Sequence, residues 1–157
     1  MAQPSAPARA RWLALLLPAG LLGGALISQY GFGLFPCEMC HWQRWPHYAA
    51  LLPGLVAVVS RDPRWQRAGV WLAALAVAIS GAIGIFHAGV EYGWWEGLTT
   101  CTASSGGGSL DDLFNQPVIR CDVPQWTLMG VSLAGFNALF SLGGAAMMLW
   151  WLRPRNA

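Results

Sequence analysis

Four cysteines hold the chemistry this sequence can do, and they fall into two groups of different kind. Cys37 and Cys40 form a C-x-x-C directly after Pro36, at the outer start of an expected helix. Free backbone N–H groups and the helix dipole there favour thiolate over thiol. Arg44 follows Cys40 by four residues, so it shares that face of the helix once the helix has begun. Its guanidinium favours an ionised Cys40 and can donate to an anionic acceptor. Cys101 and Cys121 flank the flexible run Gly106-Gly107-Gly108 and read as a loop-borne pair. His87 lies near the outer end of a third apolar stretch; a membrane-buried histidine is costly unless it pairs or meets a ligand, so it is a candidate cofactor contact. His41 and His47 flank Arg44 and read as interfacial, structurally satisfied side chains. Gln29, Gln43 and Asn137 read as interhelical hydrogen-bond glue.

Other chemistries compete for the same residues. Zinc sites built from four cysteines use two short-spaced pairs, and here only one pair is short. Cys37 to His41 spells the C-x-x-C-H of covalent haem attachment, but no second axial ligand is evident. Two inert disulfides in outer loops also remain open. The C-x-x-C beside an arginine at a membrane edge argues instead for redox cycling, with a lipid-soluble quinone as the acceptor such a dithiol could reach.

The elements that must position these residues are apolar. Of 157 residues 55% are hydrophobic and 10% charged, and all nine basic residues are arginine. This composition is too apolar for an ordinary soluble domain and leaves nothing from which to build a nucleic-acid surface, a disordered tail or a coiled coil. Apolar runs at about 12–30, 45–59, 68–90 and 126–152 predict four transmembrane helices. The first reads as a retained span, not a cleaved signal peptide. A kink is expected at Pro53-Gly54, and Trp126 to about Val131 is expected at the interface. Small residues at Gly20 and Gly24, and at Ala74, Ala78 and Ala82, predict close helix approach. Trp42, Trp45, Trp94, Trp95 and Trp126 would belt one boundary, and Trp12, Trp65, Trp71, Trp150 and Trp151 the other.

Arg9, Arg11, Arg61, Arg64, Arg67, Arg153 and Arg155 all fall on one side of that topology. By the positive-inside rule both termini are cytoplasmic, and the four cysteines lie outside, where disulfides persist. The outer loops are about 31–44 and 91–125. In the second, Ser109 to Asp112 matches a capping signature and Leu110, Leu113 and Phe114 share a face, which predicts a short amphipathic helix. Pro117 would end it and Pro124 would open the next helical segment. The expected fold class is therefore an all-α membrane protein, one integral domain over 1–157: a four-helix bundle with an amphipathic helix in its second outer loop.

Pro36-Cys37-x-x-Cys40 followed by Gln43-Arg44, then Cys101 and Cys121-Asp122 leading to Gln125-Trp126 and Gly130, resembles the DsbB-type disulfide-forming membrane proteins over nearly the whole chain. The resemblance implies a bacterial inner-membrane, quinone-dependent thiol oxidase. It would reoxidise a periplasmic thioredoxin-fold partner, DsbA-like, and pass electrons to ubiquinone or menaquinone. It also implies residue roles. Cys101 would be attacked by the reduced partner, with Cys121 its intramolecular disulfide partner, and Cys37 would exchange with that pair. Cys40 would contact the quinone, with Arg44, Gln43 and His87 around it. The loop pair here is closely spaced and Gly-rich for that pattern, and Glu38 places an acid beside the C-x-x-C. A vitamin K epoxide reductase type would have the loop pair before the C-x-x-C, the reverse of the order here. A structural or metal-binding membrane module with static disulfides is the alternative of a different class.

Overall fold

The computed structural model describes residues 5–98 and 119–153. Among them the chain forms four long helices: α1 (Ala8–Phe32), α2 (Glu38–Val59), α3 (Pro63–Glu91) and α4 (Leu133–Leu152). α3 packs on both α2 and α4, and α1 lies mainly against α2. Three of the helices, α1, α3 and α4, are long and apolar enough to cross a membrane. α2 has comparable length, but its first half carries Glu38, His41, Gln43, Arg44 and His47.

The helix ends follow local chemistry. Gly33 closes α1 in the left-handed conformation, with φ of 68°. Cys37 caps α2, so the first outer loop shrinks from the expected 31–44 to the few residues between Phe32 and Glu38, and the C-x-x-C lies on the first turn of α2. The Asp62 side chain accepts from the Arg64 N–H at 2.8 Å and Pro63 opens α3. α2 runs unbroken through Pro46 and Pro53.

The expected fourth helix begins seven residues later than its apolar run. In place of a helix opened by Pro124, residues Thr127–Leu128 (β1) and Val131–Ser132 (β2) pair as a small antiparallel hairpin. Met129 and Gly130, with φ of 53° and 79°, make the tight turn between them. The Tyr92 hydroxyl holds this turn, donating to the Gly130 carbonyl at 2.7 Å and accepting from the Ser132 N–H at 2.9 Å. Ser132 then caps α4. The amphipathic helix expected around 109–114 lies outside the described residues.

The helices pack through small side chains, and of those the spacing suggested Ala74 is buried in the core with Ala78 against it, whereas Gly20, Gly24 and Ala82 make no seam. A Cβ added at Gly20 or Gly24 would meet nothing within 4 Å, and Ala82 is exposed. The closest backbone approaches are at Gly54, where a Cβ would lie 2.5 Å from the Ala14 carbonyl oxygen, and at Gly69, where it would lie 2.5 Å from that of Pro53. Around them Ala10, Ala14, Ala50, Ala57, Ala73 and Ala74 pack with Val70, Val77 and Met148. Four-residue spacing finds glycines and alanines on every face of an apolar helix; only the partner surface decides which become seams.

Candidate functional site

The start of α2 builds the reactive pair. Cys37 is the N-cap, and its sulfur accepts from the Cys40 N–H at 3.3 Å, occupying one of the orphan donors of the first turn. The same sulfur lies 3.0 Å from Cys40 Sγ. Both are free thiols, Cys37 buried and Cys40 partly exposed. The pair stands ahead of the apolar run that begins near Trp45, and its two members ionise unequally. The hydrogen bond from Cys37 stabilises the Cys40 thiolate and holds its pKa below the usual thiol value. The same bond, with burial, pushes Cys37 well above it. Glu38, expected to weigh on the pair, is exposed; the carboxylate whose charge opposes both thiolates is Glu91.

Arg44 lies one turn beyond Cys40, as the spacing predicts, and reaches across to α1. It donates to Gln29 Oε1 at 2.6 Å and to the Ala25 carbonyl at 3.2 Å. Between α1, α2 and α4 is a cavity of about 290 Å³ that has Cys37, Cys40, Gln43, Arg44 and His87 on its walls. Gly20 and Gly24 line it from α1, which explains why they are small without being a helix seam. Phe136 and Phe140, stacked at 6.2 Å, line it from α4.

Behind the cysteines is a buried polar network. Gln43 Nε2 lies 2.7 Å from His87 Nδ1, and His87 Nε2 lies 3.6 Å from Cys37 Sγ. Asn137 joins Gln43, Ser80, Ser141 and His47 across α2, α3 and α4. Gln29, Gln43 and Asn137 thus do bond between helices. His47 is buried within the bundle, not interfacial, and His41 is exposed. The nearest donor atoms of Cys37, Cys40 and His87 lie within 4.8 Å of one another, a spacing that a metal ion could bridge.

Of the second pair, Cys101 lies outside the described residues. Cys121 is disulfide-bonded. It is buried in one cluster with Cys37, Met39 and Val90, and its backbone hydrogen-bonds the His87 ring. Gln125 ties this segment to the first outer loop by donating to the Phe35 carbonyl at 2.6 Å. Sequence reasoning missed Glu91, whose largely covered carboxylate lies 3.8 Å from His87 Nε2 and is bonded to the Ser132 hydroxyl. Its signal was the four-residue step from His87. Glu91 lines both the cavity and a second, outer hollow that includes Cys121 and Asp122.

The family model described as disulfide bond formation protein DsbB matches residues 7–151. A Disulfide bond formation protein B from Neisseria meningitidis serogroup C is 31% identical over 94% of this chain and 95% of its own length. One from N. meningitidis serogroup A is 30% identical over the same shares. Another, from Chromohalobacter salexigens, is 30% identical over 84% of this chain and 88% of its own. No solved structure matches the chain. A match running from residue 7 to 151, with relatives near 30% identity along most of their length, establishes that the chain belongs to the DsbB family of disulfide bond formation proteins.

Proposed function

We propose that this chain reoxidises a periplasmic thioredoxin-fold dithiol protein, DsbA-like, through its two cysteine pairs and passes the electrons to membrane quinone, ubiquinone or menaquinone. The observation that carries the reading is the free dithiol Cys37–Cys40 opening, beside Arg44, onto a largely apolar cavity. The cavity suits a quinone head group: its volume of about 290 Å³ is close to the lower end of the roughly 300–1,000 Å³ of small-molecule sites. Cys40, Arg44, Gln43 and His87 converge there as its polar groups and would hold the ring. When bound, a quinone supplies an acceptor for two electrons and two protons.

The chain's own residues do the rest. A thiolate of the partner attacks Cys101, forming a mixed disulfide and expelling Cys121 as thiolate; the partner's second thiol displaces Cys101 in turn. The partner leaves with a disulfide, and Cys101 and Cys121 hold its two electrons and two protons. Exchange through Cys37 restores the loop disulfide and reduces the Cys37–Cys40 pair, which returns to a disulfide as two electrons and two protons leave it. Burial of Cys121 in the same cluster as Cys37 supports this exchange. Ionisation of Cys40 before Cys37 presents the charged sulfur to the cavity, where the Arg44 guanidinium favours it.

The topology that fits is four spans in one inner-membrane domain. α2, at 22 residues, is about 33 Å long and would cross as well, with its first turn at the outer interface. Arg9, Arg11, Arg61, Arg64, Arg67 and Arg153 belong to the bundle end opposite the cysteines, so the termini would be cytoplasmic and both cysteine pairs periplasmic. The test is quinone absorbance after mixing the purified protein with a reduced thioredoxin-fold dithiol protein. Rapid quinone reduction, lost in Cys40→Ser and Cys101→Ser and weakened in Arg44→Ala, is expected. No reduction by the wild type with either quinone would sink the reading and leave a module with static disulfides.

A further inference from the structure

Two hydrogen bonds to backbone carbonyls, which can only accept, fix the orientation of two amides behind the cysteine pair. Asn137 Nδ2 donates to the Ser80 carbonyl at 3.2 Å, so its Oδ1 faces the other way and accepts from Ser141 at 3.0 Å and from His47 Nε2 at 2.9 Å. Asn137 Nδ2 also donates to Gln43 Oε1 at 2.8 Å. The Gln43 NH2 is thereby turned toward the Met39 carbonyl at 3.4 Å and toward His87 Nδ1 at 2.7 Å. An amide NH2 has no lone pair to offer, so His87 Nδ1 is the accepting nitrogen and the neutral ring carries its proton on Nε2. Nε2 faces Cys37 Sγ at 3.6 Å. The other groups facing the ring are Glu91, on the same helix and 3.8 Å from Nε2, and the Cys121 backbone carbonyl, which accepts the ring N–H and shares the Nε2 proton with Cys37.

We propose that Asn137 is a positioning residue of the thiol exchange: through Gln43 it holds the His87 proton on Nε2, where it is offered to the Cys37 sulfur as that sulfur becomes charged. The inference rests on the reading that Cys37 exchanges with the loop pair. When Cys37 leaves a disulfide as thiolate, the N–H of His87 takes up part of the charge as a hydrogen bond. No bond in the ring breaks, and His87 finishes the step with the proton it began with. The opposite tautomer would aim a lone pair at the same sulfur and repel it. The geometry also decides against a cation held by Cys37, Cys40 and His87, because coordination through Nε2 would place the ring proton on Nδ1, against the Gln43 NH2.

The test uses the full chain in detergent micelles, reduced and freed of quinone, with 15N-labelled histidine. Ring nitrogen shifts report the tautomer, and His87 is assigned by loss of its signals in His87→Asn. The wild type is expected to show the Nε2–H form at His87. In Asn137→Asp the new carboxylate takes the Gln43 NH2, turns Gln43 Oε1 toward His87 and yields the Nδ1–H form. Gln43→Glu presents an acceptor to Nδ1 while leaving the Asn137–Ser80 contacts in place, so it gives the same switch where Asn137→Asp folds poorly. In a Cys40→Ala background, iodoacetamide alkylation of Cys37 at fixed pH is expected to slow by about tenfold with either substitution, the loss of one hydrogen bond to a charged sulfur. An Nδ1–H form in the wild type, an Nε2–H form persisting in both variants, or unchanged Cys37 alkylation after the switch would overturn the proposal. Failure of the wider reading appears elsewhere, as wild-type protein that reduces no quinone, and leaves these spectra as they are.

Discussion

Replacing Cys37 with alanine tests where negative charge sits in the reduced pair. In the wild type Cys40 Sγ has a thiol donor 3.0 Å away, and that bond is the largest influence favouring its ionised form. A hydrogen bond to a charged group contributes about 1.5–3 kcal/mol, equivalent to roughly ten- to a hundredfold in the thiolate population at a fixed pH. Alkylation of Cys40, followed by intact mass from neutral to alkaline pH, should therefore slow by about that factor in Cys37→Ala, with the profile displaced to higher pH. Cys37→Ser keeps an O–H donor and a cap acceptor and should recover most of the rate. The sign for stability runs the same way. A thiol whose pKa is lowered by folding adds stability that is present above the unfolded value and fades as pH falls through the folded one. The alanine variant should thus lose stability mainly on the alkaline side. Wild-type protein in which Cys37 reacts faster than Cys40, or an alanine variant with an unchanged Cys40 profile, would refute the assignment of the charge.

Other substitutions probe the frame. Gly54→Ala forces a Cβ to within 2.5 Å of the Ala14 carbonyl and should cost about 1–3 kcal/mol in a micelle unfolding titration. Gly143→Ala, with nothing within 4 Å, should be neutral or gain up to about 1 kcal/mol. Arg44→Lys keeps the charge but replaces with one nitrogen the two that separately reach Gln29 Oε1 and the Ala25 carbonyl; its apparent quinone affinity should fall by about tenfold in a binding titration. Ser132→Ala removes the cap on Gly135 and the partner of Glu91 and should lower thermal stability by about 1 kcal/mol.

Much of the site was legible because it is local. Pro36, Cys37 and Cys40 announce a helix start, and a four-residue step brings Arg44 onto the face of Cys40. Apolar run length also found the four long helices, three of them apolar enough to span. What it could not supply is the partner surface. Gly20 and Gly24 look like a helix seam and are cavity wall, Ala74 and Ala78 do pack as their spacing suggested, and the tight backbone contacts at Gly54 and Gly69 carried no such signal. His47 looked interfacial because only the positions of Ser80 and Asn137, 33 and 90 residues away, make its burial tolerable. The hairpin at 127–132 was hidden because an apolar run continues through it, and its turn uses a methionine in the left-handed region where asparagine or aspartate would have been the expected sign.

Gly54 and Gly69 have a mechanical consequence. They press α2 against the backbones of α1 and α3 at nearly one height, so α2 cannot slide past either neighbour without unpacking both contacts. Movement that spares both contacts would be a tilt, with residues 53–57 as fulcrum and the Arg44 and Gln43 hydrogen bonds yielding at the far end. The reactive end lies some sixteen residues away, a lever of about 24 Å. A tilt of about 5° on that length displaces the sulfurs by roughly 2 Å, about the length of a disulfide bond. In the thiol relay proposed above, such a tilt would supply the stroke that switching from one sulfur partner to another requires.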